Sequence, residues 1–326
     1  IVYLPFFHPS SNSENDSMKN TKNKGEWTEI YSFFKILNDR KILLSDKNLE
    51  VKSNANHLVV KKVSTLNIPE ACHIQNNGDI IVINEDTGVE KIISTKEFLD
   101  ESILKDLASQ ISAKKKTFPM PEIEIIQDKL GISIKKGGNS NQKADILLDI
   151  KNVNFEKENE GFGIKSYLGS KPTLLNASGA TNFIYEVSGL NIDALETINS
   201  IDTRTKYKDR LKKISDLGGQ LNFYKIEKDE LSYNLSLVDS MLPDLVAKML
   251  QRFYENRTSS LSKNIEELYN ENKEIGIDLH SLQVKLKRLL VSNLLGFFPS
   301  IKWNGKNVSN GTIVVKKNGD QVGFHV

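Results

Sequence analysis

Asp145 and Lys165 are the residues whose types and spacing suggest chemistry. Asp145 lies in Lys143-Ala144-Asp145-Ile146-Leu147-Leu148-Asp149-Ile150, and Lys165 in Gly161-Phe162-Gly163-Ile164-Lys165-Ser166. Ile146, Leu148 and Ile150 alternate with other residues, as do Phe162 and Ile164, which is the period-two pattern of strands. The stretch between, 151–160, is charged and Asn-rich, so the two strands are expected to pair as an antiparallel hairpin. That pairing brings Asp145, early on one strand, near Lys165, late on the next. Metal-assisted phosphodiester cleavage needs such a pair: the carboxylate holds Mg²⁺, and the lysine activates or orients the attacking water and stabilises charge on the phosphate. Asp149 faces the same side as Asp145, but ~13 Å along the strand at ~3.3 Å per residue argues against a shared ion. Taken singly, Asp145 and Lys165 also read as ordinary strand-end surface residues.

The elements around this hairpin follow from pattern. Trp27, Ile30, Phe34 and Leu37 recur at helical spacing and predict an amphipathic helix, on which Glu26 and Glu29 lie one turn apart. Carboxylates near a helix start ordinarily serve the macrodipole. Residues 41–44, 57–63 and 80–84 read as strands, and Ser94 or Thr95 is expected to cap a helix running to about Ala113. The run Lys114-Lys115-Lys116 that ends it reads as a solvated terminus rather than a phosphate contact. Pro119 and Pro121 break the chain, and 122–130 form a short helix stopped by Gly131. After the hairpin, 167–180 is rich in small polar residues, and 181–187 reads as a third strand. From 191 the pattern is helical, at 191–200, 203–217, 239–253, 260–271 and 278–295, with a short strand at 221–226. Leu279, Leu282, Leu286, Leu289 and Leu290 of the last helix read as core, with Lys285, Lys287 and Arg288 on a wet face. Strands return at 301–303, 312–316 and 321–326.

Composition narrows the class. The chain has 326 residues, 38% hydrophobic and 26% charged, with a net charge of +2; it reads as a globular protein, and the balance is too mild to demand a polyanion. Cys72 is the single cysteine, which excludes internal disulfides and Cys-based zinc sites and fits a reducing compartment. His8, His57, His73, His280 and His325 show no metal-binding spacing. The apolar opening, 1–7, is too short for a signal sequence and contains a proline. Residues 1–21 are expected to be disordered or a mis-assigned extension, with Met18 a candidate true start. No stretch approaches a membrane span. The expectation is a cytoplasmic protein without a membrane partner.

A Gly25-x-x-x-Glu29 helix, a later strand with Asp145, and an adjacent strand ending x-x-Lys165 follow the order of the PD-(D/E)xK nucleases. More specifically, Lys24-Gly25-Glu26-Trp27-Thr28-Glu29-Ile30-Tyr31, Lys143-Ala144-Asp145-Ile146, and the run from Gly161-Phe162-Gly163-Ile164-Lys165-Ser166 through Gly169-Ser170-Lys171-Pro172-Thr173-Leu174-Leu175-Asn176-Ala177-Ser178 to Thr181-Asn182-Phe183 resemble the type II restriction endonucleases of the HpaII family. The similarity runs from about residue 22 to the C-terminus. It implies an α/β fold: a PD-(D/E)xK restriction-endonuclease-like core, with a central mixed sheet flanked by helices, over 22–190. A mostly helical C-terminal region with a terminal β-hairpin, 191–326, would help contact DNA. The implied activity is Mg²⁺-dependent double-strand cleavage of DNA at a short palindrome, C-C-G-G. The implied partners are double-stranded DNA, a cognate DNA methyltransferase that protects the host, and a second copy of the chain, since palindromes favour two-fold pairing.

The resemblance makes Asp145 a metal ligand and Lys165 the catalytic lysine. It also requires an acid at 163, where this chain has glycine. Glu29 is the first candidate to replace it, Glu186 the second and Glu26 the third. Proximity and donor chemistry make Gln142, Ser166, Ser170, Lys171, Thr173, Asn176 and Ser178 the candidate DNA contacts. Two other readings remain open: a degenerate site in a sequence-specific DNA-binding protein that does not cut, or a hairpin that is ordinary core in an interaction module.

Overall fold

Asn23 sets the first turn of helix α1 (Lys24–Asp39): its side chain accepts a hydrogen bond from the Glu26 amide at 3.1 Å, and the Glu26 carboxylate accepts one from the Asn23 amide at 2.9 Å. This is a capping box. The helix is not the one-faced amphipath its Trp27-Ile30-Phe34-Leu37 spacing predicts. Every residue from Trp27 to Leu37 except Glu29 is buried, because Tyr31, Phe33 and Ile36 add apolar surface on the remaining sides. Trp27 donates its indole N–H to the Phe118 carbonyl at 2.8 Å, and Lys35 is neutralised by Asp39 and Glu101.

The computed structural model describes residues 2–4, 20–51, 56–134, 143–169, 178–256, 258, 260–271 and 276–326. The chain divides into two compact units, Glu14–Pro172 with Asn307–Val326, and Ile1–Ser13 with Thr173–Lys306. Short strands β1 (Val2–Leu4) and β2 (Lys22–Asn23) precede α1. After it come β3 (Lys41–Leu44), β4 (His57–Ser64), β5 (Glu70–Ile74), β6 (Ile80–Asn84) and β7 (Glu90–Ile93). Helix α2 (Glu101–Ala113), strand β8 (Thr117–Phe118) and helix α3 (Pro121–Leu130) lead to the hairpin, β9 (Ile146–Lys151) and β10 (Glu156–Ser166). The chain returns to this unit for β13 (Gly311–Val315) and β14 (Gln321–His325).

Nine strands form one mixed sheet in the order β3-β14-β13-β10-β9-β4-β5-β6-β7. β3 also pairs with β4, so the first six close on themselves. The β9–β10 pairing is antiparallel, as the alternation predicts, with Ile146, Leu148, Ile150, Phe162 and Ile164 buried in the same core as α1. β10 starts at Glu156 rather than 161, because Asn152 closes a tight turn by accepting from the amides of Asn154 and Phe155. Helix α2 starts at Glu101, not near Ser94. The cap is Asp100, which accepts from the Ile103 amide at 2.9 Å. Strands β5 and β7 fall where no strand was predicted. The final hairpin does not stay with the helices that precede it: β13 runs parallel to β10, its Thr312 opposite Gly163 and Val314 opposite Lys165.

In the other unit, a three-stranded sheet β1-β11-β12 uses β11 (Phe183–Ser188) and β12 (Gln220–Ile226). Around its core lie α4 (Ile192–Asn199), α5 (Lys206–Asp216), α6 (Asp229–Val238), α7 (Leu242–Asn256), α8 (Leu261–Glu271) and α9 (Leu279–Leu295). Helix α6 was not predicted; it buries Leu231 and Leu235 and holds Asn234 at zero exposure by bonds to the Phe298 and Ile301 carbonyls. Residues 301–303, expected as a strand, form none, and the Trp303 amide instead donates to Asn234 Oδ1. Leu282, Leu286 and Leu289 of α9 are core, and Lys285 pairs with Asp239. No helix among the described residues is long and apolar enough to cross a membrane.

The sheet sets a strict steric condition at Gly311. A Cβ there would lie 2.3 Å from the Phe324 carbonyl oxygen and 2.5 Å from Phe162 Cε1, so neither backbone nor core could yield cheaply. Gly311→Ala should therefore destabilise the protein by about 2 kcal/mol through overpacking, read as a lower urea midpoint at unchanged slope. An unchanged midpoint would contradict this packing.

Candidate active site

Asp145 stands immediately before β9, where the chain closes onto β10. Its amide donates to the Phe162 carbonyl at 2.9 Å, and its carboxylate Oδ2 accepts from the Ile164 amide at 2.6 Å. Both ends of the residue are thus fixed to one strand. Since Ile146 pairs with Phe162, Asp145 comes level with Gly163, and Lys165 stands two residues further along the same face. The hairpin brings the aspartate and lysine together, as alternation alone implies. The opposite face of β10 is held by α1, through a 2.9 Å hydrogen bond between Thr28 Oγ1 and Ser166 Oγ. Ser166 Oγ also accepts from the Leu168 amide at 3.2 Å, so this hydroxyl fixes the segment that follows Lys165.

The electrostatics are those of a partly desolvated carboxylate between two lysines. Burial raises the pKa of Asp145, outweighing the Ile164 amide bond and the charges of Lys165 and Lys143, all of which lower it. Burial and the neighbouring Lys165 push Lys143 down to about 8, against an upward pull from Asp145. Lys143 therefore belongs to this group, although sequence reading placed it only in the surrounding motif. Its position two residues ahead of Asp145 was the available signal.

Gly163 faces the same site. A Cβ built there would lie 3.9 Å from Asp145 Oδ2, where a second acid would be aimed, but only 3.0 Å from the Lys143 carbonyl oxygen. Glycine lets the segment before Asp145 lie close against β10. On the neighbouring strand, Thr312 pairs with Gly163, so its side chain shares that face. The Thr312 hydroxyl is buried with no hydrogen-bond partner among the described residues.

The candidate replacements for the missing acid separate by position. Glu26 is committed to the α1 cap. Glu29 is half-buried one residue past Thr28, on the helix that backs β10. Glu186 is exposed on β11, whose sheet belongs to the other unit and not to the hairpin's sheet. Asp149 accepts from the Asn159 amide at 2.8 Å and lies 3.7 Å from Lys62, a structural role at the β10 bulge. Ser178 caps a single 3₁₀ turn, accepting from the Ala180 amide. Gln142, Ser170, Lys171, Thr173 and Asn176 lie outside the described residues. Among the described residues, no group of three or more His, Cys, Asp or Glu side chains is placed to hold a metal ion. Asp145 alone is nevertheless a hard oxygen donor of the kind Mg²⁺ prefers, and Mg²⁺ commonly takes one or two carboxylates and completes its shell with water and substrate phosphate. The donor chemistry fits that ion.

The family model described as HpaII restriction endonuclease matches residues 23–326. The chain is also 31% identical over 316 residues to "Type II restriction enzyme HpaII" of Haemophilus parainfluenzae, covering 93% of this chain and 85% of that one. No solved structure matches it. With a carboxylate and lysine on paired strands, these matches make the protein a type II site-specific deoxyribonuclease, an enzyme that hydrolyses phosphodiesters. It belongs to the HpaII restriction endonuclease family.

The raised pKa of Asp145 has a consequence for stability. An acid whose folded pKa lies above its unfolded value of 3.8 opposes folding wherever the unfolded chain is ionised, and this opposition disappears below that value, where both states are protonated. Asp145→Asn should therefore fold more stably than the unmodified protein at neutral pH, with the difference narrowing as pH falls toward 4. Urea melts at several pH values test this; a less stable Asp145→Asn protein at neutral pH would contradict it.

Proposed function

We propose that this enzyme makes Mg²⁺-dependent double-strand cuts at a short DNA palindrome, C-C-G-G, with a site of the PD-(D/E)xK type. The antiparallel β9–β10 pairing that sets Asp145 and Lys165 on one strand face carries this reading. Asp145 is the metal ligand, and Glu29, on the helix that backs β10, is the candidate second carboxylate. Mg²⁺, when bound, lowers the pKa of water and neutralises charge on the phosphate. Lys165 orients the attacking water and stabilises negative charge as it develops on the phosphoryl oxygens. Asp145 is held in place by two backbone bonds, which limits its reorganisation during the reaction. The candidate DNA contacts, Gln142, Ser166, Ser170, Lys171, Thr173, Asn176 and Ser178, follow the hairpin or flank it in sequence. A palindromic target favours two copies of the chain on one duplex, and a DNA methyltransferase of the same specificity is the functional partner.

Gly163 favours one competing reading, a protein that binds its site without cutting. Digestion of plasmid DNA with Mg²⁺ and with EDTA, followed by sequencing of the ends, separates the two. Discrete Mg²⁺-dependent fragments ending within C-C-G-G are expected, and intact plasmid with folded protein would leave the binding-only reading. Lys165→Ala should lower the cleavage rate by at least about 10²-fold, the scale of losing a preorganised charge-stabilising donor, while leaving duplex affinity nearly unchanged.

A further inference from the structure

We infer that Lys143 is a second phosphate-contacting residue of the active site, acting beside Lys165; this rests on Asp145 and Lys165 forming that site. Three observations carry it. The chain before Asp145 lies so close to β10 that the Lys143 carbonyl oxygen would sit 3.0 Å from a Cβ at 163, a position open only because residue 163 is glycine. The charges of Lys143, Lys165 and Asp145 act on one another, so the ammonium groups are neighbours of the same carboxylate. Lys143 is also half-buried, so its ammonium is partly desolvated before any substrate arrives.

A carboxylate at 163 would have made this corner acidic. With glycine there, the group comprises one carboxylate and two lysines, a local excess of positive charge facing the place where a phosphodiester must lie. A compact, partly dehydrated ammonium suits a phosphoryl oxygen as a point charge. Lys143 thus shares with Lys165 the negative charge of the scissile phosphate, and the loss of an acid at 163 is matched by the entry of a cation from the adjoining segment. A purely structural lysine, serving only as an ion partner of Asp145, would leave DNA affinity and its salt dependence untouched.

The test uses the full chain and two readouts. Single-turnover cleavage of plasmid is measured with Mg²⁺, and binding of a fluorescein-labelled C-C-G-G duplex is measured in EDTA across a salt series. Lys143→Met should slow cleavage by about 10²-fold and reduce the slope of log affinity on log salt by about 0.9, the share of one phosphate contact. Lys143→Arg should recover most of both. A Lys143→Met protein that cleaves at the original rate with an unchanged salt slope would overturn the inference. Lys165→Ala, run alongside, isolates the underlying reading: if it cleaves normally, that reading fails whatever Lys143 does. Should Lys143→Met not fold, acetylation of the unmodified protein by an amine-reactive reagent decides the matter. Duplex DNA should shield the Lys143 amine, and equal labelling with and without DNA would refute the contact.

Discussion

The bond from the Ile164 amide to Asp145 Oδ2 is the constraint on which the site depends. A carboxylate withdrawn from water must find hydrogen bonds in the protein or lose its charge, and here burial already pushes it toward the neutral form. The Ile164 amide is a fixed donor, set by the strand rather than by a rotatable side chain, so it can hold the carboxylate only if the backbone before β9 comes close to β10. That closeness is tolerated because 163 lacks a Cβ. The anion, its donor and the glycine are therefore one feature. An acid at 163 in this backbone would have to displace the Lys143 carbonyl before it could reach a metal.

Holding β10 in place takes three neighbours. β9 occupies one edge, β13 the other, and α1 lies against the face opposite the site through Thr28 and the surrounding core. β13 runs parallel to β10, and parallel neighbours cannot be joined by a tight turn. The connection here spans the whole of residues 167–310, so the site strand acquires one of its flanks from the last twenty residues of the chain. The sheet that carries Lys165 is completed only when the C-terminus returns to it. Thr312 reaches Gly163 by this route, and no local sequence pattern could have announced it.

What could be read beforehand followed from local rules. Alternation placed β9 and β10, helical spacing and caps placed α1, α3, α4, α8 and α9, and the hairpin pairing of Asp145 with Lys165 followed from both. What could not be read required knowledge of partners. Glu26 and Glu29 look alike one turn apart, yet only the structure separates a carboxylate bonded to the Asn23 amide from one that is not its cap. The strand at Phe183–Ser188 was recognisable as a strand, but its partners are β1 and β12 in another sheet, which left Glu186 away from the hairpin's sheet. Burial of α1 on nearly all sides was hidden because periodicity reports the most apolar face and not how many neighbours surround a helix. Lys143 went unremarked for the same reason: its significance lies in the segment's approach to β10, a tertiary fact.

The charge balance of the site follows from this geometry. Two carboxylates facing one phosphate would repel it until a cation neutralised them, so such a site couples substrate binding to metal binding. Here the described groups are Asp145 against Lys143 and Lys165, one negative charge and two positive. At the short separations of a partly desolvated cluster, an uncompensated unit charge is screened far less than it is on the open surface. The site therefore attracts a phosphodiester on its own account. Asp145, bonded through its Oδ2 to a backbone amide, remains the one anion positioned to hold a cation when the substrate is in place. An enzyme built in this way would recognise the DNA backbone first and complete its metal-binding shell with the substrate's own oxygens.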